Sequence, residues 1–222
     1  MKVIQVLFSS LLFFLLIFSC NNDVSNTTIV GSGNIIKETR DVSNFSKVQV
    51  EDAIKAQITQ GNKTRVEVRA NDNLMNKIVT EVTNGTLHVK YRGIVNTKNT
   101  VSEVSIQMPT VEHIKLSDAV RAEVTGFSGL SKLRVGVHDA SNLSISGDAD
   151  ALEINVTDAG VVKGFSFDAD NCNAQVADAS QLSITCNKLL EGKVKDASVL
   201  RYKGNPTVTA TASMASKLTS AN

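Results

Sequence analysis

The chain reads as an all-β protein, a parallel β-helix or β-solenoid with coils of about 20 residues preceded by a less regular β region. Three observations carry that expectation. An Asp-Ala pair recurs at near-constant spacing through the second half, and the residues around it alternate between apolar and polar. The apolar stock is also aliphatic: aromatics are 5% of 222 residues and Trp is absent, so a core has to be built from Val, Ile, Leu and Ala. Val and Ile are stiff at χ1 and suit strands.

The repeats come first because they set the period. Asp118-Ala119, Asp139-Ala140, Asp158-Ala159, Asp178-Ala179 and Asp196-Ala197 are separated by 21, 19, 20 and 18 residues, and Ser213-Met214-Ala215-Ser216 continues the series without the acid. Two residues before each acid stand Leu116, Val137, Val156, Val176 and Val194. Four residues after it stand Ala122, Leu143, Val162, Leu182 and Leu200, with Leu218 in the sixth copy. Glycine recurs further on as Gly126, Gly147 and Gly204. Period-two alternation means strands with one buried face, and glycines mark corners. A single coil cannot bury its apolar row, whereas stacked coils align Leu on Leu. The leucine-rich-repeat alternative lacks its Asn/Cys signature and its helical segment.

The five aspartates, Asp118, Asp139, Asp158, Asp178 and Asp196, are expected to form a structural turn ladder. In an Asx-turn each carboxylate would accept a backbone N–H and bend the chain, with Ala inside the bend and Ser adding a hydrogen bond. The competing reading is a carboxylate column that binds cations, but the GGxGxD pattern of calcium β-rolls is absent.

Residues 1–19 have the form of a signal peptide: Lys2 is basic and Leu11 to Phe18 are all apolar. Val3 to Phe18 is shorter than the ~20 residues that span a bilayer. Ile17-Phe18-Ser19-Cys20 resembles a bacterial lipobox, which implies cleavage before Cys20 and lipid attachment to its sulfur. Membrane attachment would then run through Cys20, since several acyl chains anchor stably where one does not. Residues 20–30 are expected to be the lipidated N-terminus and a flexible tether. An outer-membrane lipoprotein follows, facing either the cell surface or the periplasm.

Residues 31–110 carry strands without a clear coil period, and residues 111–222 carry the repeated coils. Val48 to Val50, Ile54 to Ile58, Val66 to Val68 and Leu87 to Val89 read as strands, with Asn84-Gly85 a turn. Leu74, Ile78 and Val82 suggest a short helix within 73–83, and Gly93 to Thr100 a polar loop. Glu51-Asp52-Ala53-Ile54 echoes the repeats and suggests a diverged coil.

An ordered series of fragments carries a family resemblance. Gly31-Ser32-Gly33-Asn34, Val42-Ser43-Asn44-Phe45, Val48 to Asp52 and Ile58-Thr59-Gln60-Gly61 open it. Val66-Glu67-Val68, Asn73-Leu74, Asn84-Gly85-Thr86-Leu87, Val104 to Pro109 and the Asp-Ala-Ser repeats continue it. Together they are similar to the head GIN domain family of putative auto-transporter adhesins, common among Bacteroidetes lipoproteins. The resemblance implies a β-helical envelope domain with an adhesive role, and it transfers no binding residues. Asp52-Ala53 departs from it, since the family usually has glycines there.

The remaining chemistry is sparse. Removing residues 1–19 takes one Lys from 23 basic and 22 acidic residues, so the mature chain is balanced and no basic face is evident. Phosphate neutralisation of a nucleic acid is not expected. His88, His113 and His138 are far apart and form no HExxH, and GxSxG and the P-loop are absent. No cofactor is called for. His138-Asp139 with Ser141 could suggest a triad, yet the histidine's slot elsewhere holds Ser117, Thr157, Ala177 and Lys195, so a solvated strand residue is expected. Cys172 and Cys186 are a candidate disulfide in an oxidising envelope, two separate thiols being the alternative. The sequence thus points to a non-enzymatic binding protein with a glycan or protein ligand on a solenoid face. A carbohydrate-active enzyme is the rival class, but coils of 18–21 residues leave no room for catalytic loops, and a periplasmic structural or signalling lipoprotein is the third reading.

Overall fold

A computed structural model describes residues 28–93, 96–213 and 215–222. The signal segment, Cys20 and residues 21–27 lie outside the described residues. The N-terminal third holds β1 (Thr28–Val30), β2 (Ile35–Arg40), β3 (Lys47–Val50), β4 (Lys55–Gln60), β5 (Arg65–Asn71) and the one-turn helix α1 (Asp72–Met75). It continues with β6 (Ile78–Thr83), β7 (Thr86–Tyr91), β8 (Asn96–Lys98) and β9 (Ser102–Met108). The repeats form β10 (His113–Leu116), β11 (Arg121–Val137), β12 (Asn142–Val156), β13 (Val161–Val176) and β14 (Gln181–Val194). β15 (Val199–Lys203), β16 (Thr207–Val208), β17 (Thr211–Ala212) and β18 (Lys217–Ser220) finish the chain. The result is a β-solenoid of about five turns, as the period predicts.

Each coil runs along one face, turns at the Asp-Ala pair and returns along a second face. The first face stacks β7, β3, β10 and the second halves of β11 to β14 in parallel. The second face stacks β9, β4, the first halves of β11 to β14, then β15 and β18. Register preserves the sequence period. Leu133, Leu152, Cys172 and Leu190 align across four coils, as do Ala122, Leu143, Val162, Leu182, Leu200 and Leu218 on the other face. Most of these side chains are buried, and each large one contributes roughly 1.5–3 kcal/mol by leaving water. Phe127 and Phe167 fill the bulged corner opposite the Asp-Ala turn. Gly147 sits at that corner with φ +139°, where a Cβ would stand 2.1 Å from the Phe127 carbonyl oxygen.

The Asp-Ala corner is a backbone device. In the five acidic copies both Asp and Ala have φ between +52° and +62°, as the two central residues of a type I′ turn require. The turn closes through Ser141 N–H to the His138 carbonyl and Gly160 N–H to the Thr157 carbonyl, both at 3.0 Å. Coils are then tied corner to corner: the N–H of Ala119, Ala140 and Ala159 donates at 2.8 Å to the carbonyl of Asp139, Asp158 and Asp178. Asp tolerates the left-handed region better than most residues. Ala carries a penalty of roughly 1–2 kcal/mol there, yet its Cβ is the smallest that a chiral residue can offer. The serines add the expected hydrogen bond, from inside. Ser141, Ser180 and Ser198 are fully buried, and Ser141 Oγ accepts the Val120 N–H at 3.1 Å.

The Asp52-Ala53 echo is an additional coil. Both residues have positive φ, β3 and β4 pair in parallel with β10 and β11, and Ala53 N–H donates to the Asp118 carbonyl at 2.7 Å. Beyond β7 and β9 the chain reverses. β6 pairs antiparallel with β7, β5 with β9, and β2 with β5.

Three local expectations are corrected. Of the segment 73–83 only the first residues belong to a helix, Asp72–Met75. Ile78–Thr83 is a strand because its β-branched run pairs with β7 through the Asn84-Gly85 turn, both residues at positive φ. Residues 28–30, expected within the tether, form β1, and they pair with β8, which lies inside the expected polar loop.

Candidate functional site

The structure places the Asp column where it can make few contacts. Asp118, Asp139, Asp158, Asp178 and Asp196 are all exposed at the corners. Among the described residues none of these five carboxylates accepts a backbone N–H, so the Asx-turn expected from sequence gives way to the left-handed pair. Asp158 takes the Thr157 hydroxyl and Asp196 faces Lys195 at 3.4 Å. The carboxylate of Asp52, in the extra coil, does accept a backbone N–H, from Tyr91 at 2.8 Å. No group of three His, Cys, Asp or Glu able to hold a metal occurs among the described residues.

His138, Asp139 and Ser141 do not assemble. Asp139 points to solvent, Ser141 is inside the stack, and His138 bonds to Thr157 instead. Cys172 and Cys186 are both buried free thiols, not the candidate disulfide. Cys172 occupies the core row, and its hydrogen bond with Cys186, together with burial, pushes its thiol above the usual range. Cys186 donates to the Leu189 carbonyl at 3.1 Å.

A groove of about 450 Å³ runs across the outside of the first face. Two rows of outward side chains build it. His113, Arg134, Glu153 and Asn173 align on β10 to β13, and Lys115, Gly136, Asn155 and Gln175 align beside them. Outward positions on a strand recur every second residue, so the coil period itself sets these rows. Gly136 opens a notch between Lys115 and Asn155. The His138 imidazole lies over that notch, since a Cβ at Gly136 would stand 2.9 Å from its Nε2.

Hydrogen bonds orient the polar groups. Thr157 Oγ1 donates to Asp158 Oδ2 at 2.6 Å and so accepts from His138 Nδ1, 2.8 Å away. The neutral ring therefore carries its proton on Nδ1 and keeps the Nε2 lone pair at the groove. Arg134 Nε donates to Glu153 Oε2 at 2.8 Å, and Lys132 bonds the other oxygen of the same carboxylate. These two hydrogen bonds hold Glu153 below its ordinary range. Among the described residues the Nη groups of Arg134 have no hydrogen-bond partner. Burial, then Arg134, Lys115 and Lys47, lower His113. Burial and Lys115 lower His138 against the opposing pull of Asp139 and Asp158.

Two sequence expectations change here. His113 and His138, far apart along the chain, line one groove because consecutive coils stack. A chain with balanced charge nevertheless gathers Lys47, Lys115, Lys132 and Arg134 on adjacent strands of one face, where Lys132 and Arg134 share the carboxylate of Glu153. The signal for this was in the repeat alignment, which sets position 113 one coil before 134.

Fold and groove together define a β-solenoid protein that presents a shallow polar trough on a flat sheet. The family model described as "Putative auto-transporter adhesin, head GIN domain" matches residues 44–206, and the chain belongs to that family. No curated protein matches. Among solved structures, a putative adhesin from Bacteroides fragilis is similar at TM-score 0.73 and 17% identity, covering 86% of this chain and 99% of its own. A putative lipid binding protein from Parabacteroides distasonis gives TM-score 0.54 at 17% identity, covering 88% and 100%. A putative adhesin from Parabacteroides merdae gives TM-score 0.54 at 13% identity, covering 88% and 99%. At these identities the likeness concerns the fold.

Proposed function

We propose that this protein is a lipid-anchored binding protein of the bacterial outer membrane, an adhesin that engages its ligand on the first face of the solenoid. The observation that carries this reading is the groove around Gly136: a polar trough whose lining stands on rigid stacked strands. Binding groups fixed on regular strands need little ordering when a ligand arrives. Family membership supports an adhesive role at the envelope. Lipidation at Cys20 would supply the anchor, with residues 21–27 spacing the domain from the membrane.

Protease shaving of intact cells, with a periplasmic control, tests the reading. Loss of the domain while the control survives is expected. Protection would overturn the adhesin reading and leave an internal envelope role. Cys20→Ser in parallel should release the protein from the membrane fraction, and retention would remove the anchor from the proposal.

A further inference from the structure

We propose that the groove is a site for an anionic saccharide, holding a sugar carboxylate or sulfate between Lys115 and Arg134 over the Gly136 notch. This rests on the reading of the first face as the binding face and names its ligand chemistry.

The charge arrangement comes first. Arg134 donates to Glu153 through Nε, and among the described residues neither of its Nη groups has a hydrogen-bond partner. Lys115, one strand away and one row over, has no ion pair among the described residues. Lys47 continues the His113 row on β3. Of the nearby acids, Asp139 and Asp158 act on His138, and the others are engaged or distant. Glu153 is shared by Lys132 and Arg134, Glu51 is bonded by Gln49, and Glu191 stands beyond Asn173. An anion laid across Lys115 and Arg134, beside the His138 ring that covers Gly136, therefore meets more positive than negative charge.

The neighbouring rows explain why a saccharide fits. Asn155, Asn173 and Gln175 are exposed amides on the same two rows, each offering a donor and an acceptor to hydroxyls. A flat trough with amides beside a cationic notch matches a hydroxyl-rich ring that carries one acidic group. The groove volume of about 450 Å³ lies within the range of small-ligand sites.

The histidines add a pH dependence. His113 faces Lys47, Lys115 and Arg134, and His138 faces Lys115, Asp139 and Asp158. Both stay neutral at neutral pH. Acidification converts His138 Nε2 from acceptor to donor at the notch and adds charge at His113.

The test uses the full chain in detergent and three polymers: polygalacturonate for carboxylate, dextran sulfate for sulfate, and unmodified dextran. Binding of one or both polyanions but not dextran is expected, and comparing the two polyanions identifies the acidic group. Lys115→Gln or Arg134→Gln should weaken binding about tenfold, whereas Lys163→Gln on the second face should leave it unchanged. Acidification below the ordinary imidazole range should tighten binding, and the His113→Gln/His138→Gln double variant should flatten that response. Failure of both polyanions to bind, or equal losses in Lys163→Gln, overturns the inference. Tighter, groove-dependent binding to phosphatidylglycerol vesicles overturns it in favour of a lipid surface. Groove-dependent binding of plain dextran removes the anion preference but leaves the binding face standing. Shaving separately decides whether that face is outside the cell.

Discussion

The repeated coils and the N-terminal third share one continuous sheet but are built by opposite pairings. From β10 to β15 every neighbour is parallel, and outside the bulged corner each residue stands beside its counterpart one coil later. From β2 to β9 the chain also pairs antiparallel, with β5 held between β2 and β9. Parallel stacking demands that each coil repeat the same geometry, which writes a period into the sequence. Antiparallel pairing demands only complementary strands and a turn, and it writes none. It also ends the stack. β2 is an edge strand carrying Lys37, Glu38 and Arg40, the charged guard that discourages further pairing.

The largest expected contrast comes from register. One glycine inserted between Leu143 and Ser144 would displace the rest of that strand by one residue and send Ile145 outward. Every coil beyond depends on that register, so the cooperative unfolding transition should be lost. The same insertion between Asn62 and Lys63, an exposed turn linking β4 and β5, should cost under about 1 kcal/mol. Chemical denaturation followed by circular dichroism separates the two. Equal tolerance would mean that the coils are not a single register-locked stack.

Buried polar groups give a finer contrast. Asn71, 2% exposed, accepts the Val101 N–H on its side chain at 2.7 Å. Ser141 accepts the Val120 N–H from inside the stack. Without Ser141, that N–H can turn back to the Ser117 carbonyl, as the N–H of Ser141 itself does to His138. Asn71→Ala should therefore cost about 2–3 kcal/mol and Ser141→Ala about 1 kcal/mol, read from denaturant midpoints at constant m. The reverse order would show that the serine column, not the turn backbone, secures the corners.

Legibility follows the same division. The Leu rows, the Asp-Ala corners and even the Asp52-Ala53 coil were readable, because parallel register copies chemistry at fixed intervals. The strand at Ile78–Thr83 resembled a helix because Leu74, Ile78 and Val82 fit a four-residue spacing. Only the long-range partner β7 decides otherwise. The groove was not readable as a site. Its defining feature is an absence, the missing side chain at Gly136 beside His138, and its charges come from four strands that sequence order separates. The thiols illustrate the remaining limit: repeat alignment placed Cys172 in the core row, but not the contact that sets its free thiol against that of Cys186.

Corner chemistry should show a smaller effect, of opposite sign. Ala140 has φ +56°, a conformation that glycine adopts without strain. Ala140→Gly should stabilise the protein by up to about 1 kcal/mol, because relief of the left-handed penalty outweighs the added freedom of the unfolded chain. Ala140→Val should be destabilising, since a β-branched residue is strongly disfavoured there. A loss with glycine would mean that the Ala methyl packs productively between coils.

The aspartate column should show the smallest effect. Asp139 is exposed, and among the described residues no backbone N–H is bonded to its carboxylate. Its contribution is its tolerance of φ +52°, which Asn shares. Asp139→Asn should therefore shift stability by no more than about 0.5 kcal/mol. Relief of repulsion from the neighbouring Asp118 and Asp158 corners would make the sign favourable. Calcium should not move the melting temperature of either form. A calcium-dependent shift that disappears in Asp139→Asn would turn the column from a turn-forming series into a ligand set. The corners of the repeated coils would then do chemistry that the side-chain hydrogen bond of Asp52 in the N-terminal coil does not.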